Sequence, residues 1–237
     1  MKQPMDIKTL VEELKRQGRI MLPGMTDRSK LMVDEQGLAA LLEMAYRRQV
    51  AQRRIAYIPN ALTNGVIRQL AHFLISTKDN RFVIVLDGSP ATGKTTLMQA
   101  MRQTLWWLTE HRLVPEEIEL KIYDADALAD MRDSTRQWYD LLNWPSYLGI
   151  EDLGCEPAEV VRWGNPLYPL REVFTTRYKL RLPMVVSTNL DSNQLREHLG
   201  MRIASRMNEM AYFIHFENTD FRKMNWYSHH PEVKSEQ

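Results

Sequence analysis

The stretch RFVIVLDGSPATGKTTLMQAM, residues 81–101, decides the fold. Phe82 to Leu86 is an unbroken apolar run, the pattern of a strand buried on both faces. Thr96 to Met101 contains no breaker and reads as a helix. Between them stands Gly88-Ser89-Pro90-Ala91-Thr92-Gly93-Lys94-Thr95, the G-x-x-x-x-G-K-[ST] pattern in its expected strand–loop–helix setting. A phosphate chain needs converging backbone N–H groups. Gly88 and Gly93 supply the unusual backbone angles, and the helix N-terminus adds its positive pole. Lys94 is expected to reach the β and γ phosphates and Thr95 to offer its hydroxyl to Mg2+. The expected cradle runs from Gly88 to Thr96, and the expected ligands are ATP and Mg2+.

The remaining composition is that of a folded domain. The chain has 237 residues, enough for one main domain and a smaller appendage, and neither repeats nor low-complexity tracts interrupt it. A net charge of +1 neither demands nor excludes nucleic acid, so local clusters must decide. The single cysteine, Cys155, excludes an internal disulfide and a structural zinc site. MKQPMDIKTLVEELKRQG at the N-terminus lacks the apolar stretch of a signal peptide, and no apolar run reaches membrane-spanning length. The expectation is a cytoplasmic protein with no membrane partner.

From residue 6 to residue 54 the pattern is helical: Ile7, Leu10, Val11 and Leu14 recur at helix spacing, Pro23 and Gly24 interrupt, and Gly37 to Val50 resumes. The second helix ends in Arg47, Arg48, Arg53 and Arg54, either a solvated helix end or a contact for phosphates or an acidic partner. Beyond Pro59, candidate strands at Phe82–Leu86, Ile118–Tyr123, Tyr147–Ile150, Met184–Ser187 and Ala211–Phe216 are separated by enough chain for crossover helices. The expected division is a helical N-terminal region, 1–58, an α/β ATPase domain, 59–220, and a polar tail, 221–237.

Hydrolysis needs a carboxylate for the metal and a group that orients water. Tyr147-Leu148-Gly149-Ile150 runs into Glu151 and Asp152, as a Walker B segment does. By position Glu151 is the metal-side acid and Asp152 the water-side acid. Aspartate more commonly comes first, so both count as metal and catalytic candidates. A third strand, Met184 to Ser187, leads through Thr188 to Asn189, whose amide can hydrogen-bond the γ-phosphate or the lytic water. Arg202 and Arg206 stand four apart on a predicted helix, either in surface ion pairs or presented to a neighbouring subunit's phosphate.

Trp106 and Trp107 are expected to pack on the helix after the P-loop. Trp138, Tyr139 and Trp144, near Arg132 and Arg136, combine aromatic and basic character in a way that suits single-stranded DNA or simply a core. His229 and His230 lack further ligand partners, and Cys155 is assigned no chemistry.

Taken in order, GSPATGKTT, YLGIEDLG, LREVFTTRYKLRLPMVVSTNL and LGMRIASRM resemble the DnaC/IstB-like branch of the AAA+ ATPases, over roughly residues 60 to 216. The resemblance implies an α/β P-loop NTPase of AAA+ type, a three-layer sandwich on a five-stranded parallel sheet with the sensor strand between the Walker A and Walker B strands. It implies Arg206 as a finger acting in trans with Arg202 as companion, Arg177-Tyr178 as the pair before the sensor strand, and a homo-oligomer on DNA. About twenty residues follow the last strand, too few for a C-terminal helical lid. The expected function is ATP hydrolysis by a helicase loader acting on a replicative helicase. The alternatives are an ATP-dependent helper of a transposase and a nucleotide-dependent binding module with negligible hydrolysis.

Overall fold

The structure, a computed structural model, describes residues 31–114, 117–157, 159–162, 165–217 and 221. The helical pattern expected at residues 6–30 and the tail with His229 and His230 lie outside them. In chain order the elements are α1 (Glu35–Gln52), α2 (Ala61–Ile75), β1 (Val83–Gly88), α3 (Lys94–Glu110), β2 (Leu120–Asp124), α4 (Ala125–Asp130) and α5 (Thr135–Leu142). They continue with β3 (Tyr147–Leu153), β4 (Val160–Arg162), β5 (Asn165–Leu167), α6 (Pro169–Leu180), β6 (Met184–Thr188), α7 (Ser192–Leu199), α8 (Met201–Met210) and β7 (Ala211–Phe216).

Five strands form one parallel sheet in the order β2-β3-β6-β1-β7. The sensor strand β6 thus lies between β1 and β3, as the resemblance implied. Alternate residues of each strand feed opposite layers. Ile84, Leu86, Val185, Ile214 and Phe216 face α1, α2 and α3. Val83, Val85, Met184, Val186, Leu148 and Ile150 face α4 to α8. This is the three-layer sandwich that long apolar strands require, because a sheet buried on both faces must be covered twice. All five candidate strands are present; among the described residues the sequence pattern missed only the short antiparallel hairpin of β4 and β5.

Helix α1 belongs to the same core. Leu38, Leu42, Ala45 and Tyr46 are buried together with Leu86, Leu97, Met98 and Met101. Local caps set the helix starts. The Asp34 side chain accepts from the Gly37 N–H, Asn60 from the Thr63 N–H, and Asp191 with Gln194 closes a capping box on α7. Of the tryptophans on α3, Trp107 packs against the core, whereas Trp106 is exposed, contrary to the packing role expected for both. The two are adjacent on a helix, about 100° apart, so one stripe cannot bury both.

Arg177 on α6 is fully buried and ties the strand entries together. Its Nη1 donates to the carbonyls of Leu141 and Trp144 at 3.3 and 3.0 Å, and its Nη2 to those of Ser146 and Pro183 at 2.8 and 2.7 Å. One guanidinium therefore pins the end of α5, the approach to β3 and the residue before β6. Burial lowers its pKa to about 9, still above neutrality, so it remains a cation held by carbonyl dipoles. Arg177→Ala would leave these carbonyls unpaired beside a cavity. The expected loss of unfolding free energy is about 3 kcal/mol or more, read from urea denaturation; a loss below about 1 kcal/mol would refute the pinning role.

Candidate nucleotide site and its relatives

The P-loop leaves the C-terminal end of β1 and closes on the N-terminus of α3. Gly88 has φ +131°, and a β-carbon there would collide with the Phe216 carbonyl oxygen of the neighbouring β7. Gly93, at φ +105°, is the N-cap of α3 and provides no side-chain cap, so the first-turn N–H groups point into the loop uncapped by it. Thr92 Oγ1 donates to the Ser89 carbonyl at 2.9 Å and braces the loop from within. Ser89 and Pro90 are exposed, Ala91 takes φ +61°, and Thr96, in the first turn of α3, is buried.

Lys94 is buried, and its ammonium donates to the carbonyls of Gly88 and Ser89, both at 2.7 Å, and to Asn189 Oδ1 at 2.8 Å. The two residues are 95 positions apart in the chain. They meet because β1 pairs with β6 in a register that sets Leu86 opposite Ser187 and Asp87 opposite Thr188. Buried ammonium groups need strong acceptors. These three oxygens hold Lys94 at the place where the sequence expects phosphate.

The acids lie on the next strand. The β3–β6 register shifts between Ile150 and Leu153, and within this bulge Asp152 adopts φ +53°, a conformation that aspartate tolerates better than most residues. Its N–H donates to Ser187 Oγ at 3.0 Å, so the sensor strand holds the bulge in place. Glu151 is half-buried and accepts from Gln99 Nε2 at 3.1 Å. Gln99 stands four residues after Thr95, on the same face of α3. Glu151 therefore faces the side of α3 that carries the Thr95 hydroxyl, whereas Asp152 is exposed. Burial pushes the Glu151 carboxyl up from its usual range, the Gln99 hydrogen bond opposes this, and the charges of Asp124 and Asp152 add to the rise.

This oxygen set fits a hard divalent cation, which takes one hydroxyl, one or two carboxylates and phosphate oxygens. Sequence reasoning missed Gln99 and Ser187. Only the i, i+4 spacing from Thr95 pointed to the first, and Ser187 carries no signal apart from its strand.

Arg202 and Arg206 lie on α8. Arg202 is exposed. The Arg206 guanidinium stacks 4.5 Å from the Tyr178 ring, whose hydroxyl donates to Glu209 at 2.6 Å. Arg206 Nη1 is buried without a hydrogen-bond partner among the described residues. Of the basic and aromatic group, Trp138 is core, Lys121 covers the Trp144 ring at 3.2 Å, and Arg132 pairs with Glu172 at 2.7 Å; Tyr139 is exposed. No helix among the described residues is long and apolar enough to cross a membrane.

No family model matches the sequence, and no curated protein matches it. Solved structures do. The DnaC helicase loader superposes with a TM-score of 0.51 at 21% identity, covering 68% of this chain and 93% of its own. DnaI superposes with a TM-score of 0.51 at 20% identity, covering 73% and 93%. At such identities the likeness establishes architecture alone: the chain shares the three-layer α/β fold of the DnaC helicase loader and DnaI.

Proposed function

We propose that this chain binds and hydrolyses ATP with Mg2+ and works as a helicase loader, assembling with copies of itself and contacting single-stranded DNA and a replicative helicase. The observation that carries the reading is the Lys94 ammonium joined to both the P-loop carbonyls and Asn189. A cation held by three oxygens can exchange them for phosphate oxygens without being newly desolvated. Asn189 is thereby freed to meet the terminal phosphate, which makes it a reporter of whether ATP is intact.

In this reading Gly88 to Thr96 wraps the phosphates with backbone N–H groups. Thr95 and Glu151 supply oxygens to Mg2+, which when bound would neutralise charge on the phosphates. The exposed Asp152 carboxylate takes a proton from the attacking water, its direction set by the bulge and the Ser187 hydrogen bond. Arg206, partly exposed on α8 with the exposed Arg202 one turn before it, is offered to the phosphate of an adjacent subunit, as the resemblance to the DnaC/IstB-like branch implies. The helicase-loading role draws on the fold shared with the DnaC helicase loader and DnaI.

Lys94→Ala should abolish nucleotide binding in a titration with a fluorescent ATP analogue; an unchanged Kd would sink the site assignment. Asp152→Asn should keep ATP affinity within about threefold and lower kcat by about 100-fold or more, the range of a lost general base. Comparable loss in both quantities would instead make Asp152 a ligand. For the trans finger, turnover per chain should rise with protein concentration. Inactive Lys94→Ala chains should restore activity to Arg206→Ala chains on mixing, and failure to complement would rule out an intersubunit role.

A further inference from the structure

A buried carboxylate that the proposed hydrolysis does not use stands just past β3. Asp152 and Cys155 close a tight turn there, the Cys155 N–H donating to the Asp152 carbonyl at 3.0 Å. Gly154, inside the turn, takes φ +101°, a conformation that suits glycine. The bond that closes such a turn leaves the N–H of its third residue unused. Here the Gly154 N–H donates to Glu156 Oε2 at 2.8 Å. The other oxygen of that carboxylate, Oε1, pairs with His198 Nε2 at 2.5 Å. The Glu156 side chain is wholly buried and that of His198 nearly so.

The element that receives Glu156 is anchored on its own account. His198 stands in the last turn of α7, whose start is closed by the Asp191–Gln194 capping box and whose Leu195 and Leu199 are buried. The His198 carbonyl accepts from Arg171 Nη2 at 3.0 Å, which ties the end of α7 to α6. A carboxylate excluded from water is costly unless it is paired. What this one adds over an apolar side chain is a fixed distance between the turn and α7. Asp152 lies at the head of that turn. Its N–H is held by Ser187 Oγ and its carbonyl by the Cys155 N–H. Both peptide groups of Asp152 are therefore held at φ +53°, and the direction of its exposed side chain follows from them.

We propose that Glu156, braced by His198, is a positioning residue for hydrolysis: it holds the turn after β3 and through it the aim of the Asp152 carboxylate at the attacking water. The inference rests on the hydrolysis reading above, in which Asp152 takes the proton, and adds the two side chains that keep Asp152 in place. Neither touches nucleotide or water in the reaction; both act through the backbone of the turn. Proton transfer depends steeply on placement, and a displacement of about 1 Å can cost about 100-fold in rate. Nucleotide binding belongs to the P-loop and Lys94, between β1 and α3. The pair should therefore govern turnover and leave affinity alone.

The test measures ATP turnover and the affinity and stoichiometry of a non-hydrolysable ATP analogue, each with Mg2+, in full-length wild type, Glu156→Ala, Glu156→Gln, His198→Ala, Asp152→Asn and the Glu156→Ala/Asp152→Asn double variant. Stoichiometry counts folded sites, so kcat is expressed per binding-competent chain. Glu156→Ala should lower that kcat about tenfold or more and change analogue affinity less than about twofold. Glu156→Gln, which can still accept from the Gly154 N–H, should recover part of the loss. In the Asp152→Asn background Glu156→Ala should lower kcat less than about twofold further, because both changes act through one carboxylate. A full additional loss in the double variant, or equal losses of kcat and affinity in Glu156→Ala, would overturn the proposal. So would an unchanged kcat in Glu156→Ala beside an impaired Asp152→Asn, and that result leaves the hydrolysis reading intact. Should Glu156→Ala not fold, His198→Ala carries the same comparison, alone and with Asp152→Asn. Full turnover in Asp152→Asn, or none in the wild type, would overturn the hydrolysis reading and the proposal with it.

Discussion

The parallel pairing of β1 with β6 is the constraint on which the site depends. Parallel strands end on the same side of a sheet, so every loop leaving a C-terminal end enters one crevice. The register of β1 against β6 then brings Asn189 to the Lys94 ammonium across 95 residues of chain. The same strand β6 reaches the other way, through Ser187 and Thr188, to hold the bulge that turns Asp152 outward. Ser187 accepts from the Asp152 N–H at 3.0 Å, and Thr188 donates to the Leu153 carbonyl at 2.7 Å. The central position of β6 thus couples lysine, asparagine and acids through one backbone.

Two buried cations illustrate two uses of carbonyl dipoles. Arg177 holds four carbonyls from three parts of the chain, all facing the core. Its rigid fork matches a fixed array, and nothing mobile competes for it, so it serves the register of β3 and β6. Lys94 holds two carbonyls of a loop and one side-chain oxygen from a residue that is itself at the surface. The first array is fixed within the core, and the second joins a loop to the end of a strand.

Much of this was legible along the chain. Residues 81–101 carry strand, loop and helix in an order with one reading, and the five strand runs fall where the sheet places them, several of them extended by a few residues toward the site. What escaped was whatever depends on neighbours. The hairpin of β4 and β5 has three residues a side, too short for periodicity to register. The exposure of Trp106 beside the packed Trp107 reflects which stripe of α3 the sheet and α1 cover. Arg177 read as half of a family pair, and only its four acceptors revealed a pin through the core.

The sequence by itself determined the chemistry on offer: a G-x-x-x-x-G-K-T loop between strand and helix, two acids at a strand end, an asparagine just past another strand and arginines on a late helix. It could do so because backbone angles, helix termini and side-chain functional groups are local properties of consecutive residues. The tertiary structure alone decided how these meet. It put Asn189 rather than an acid on Lys94, Glu151 against Gln99 on α3, Asp152 at the surface, and α1 inside the core with its C-terminal end beside the start of α3. Those are matters of strand order, register and helix direction, which arise only when distant segments bury their apolar faces against one another.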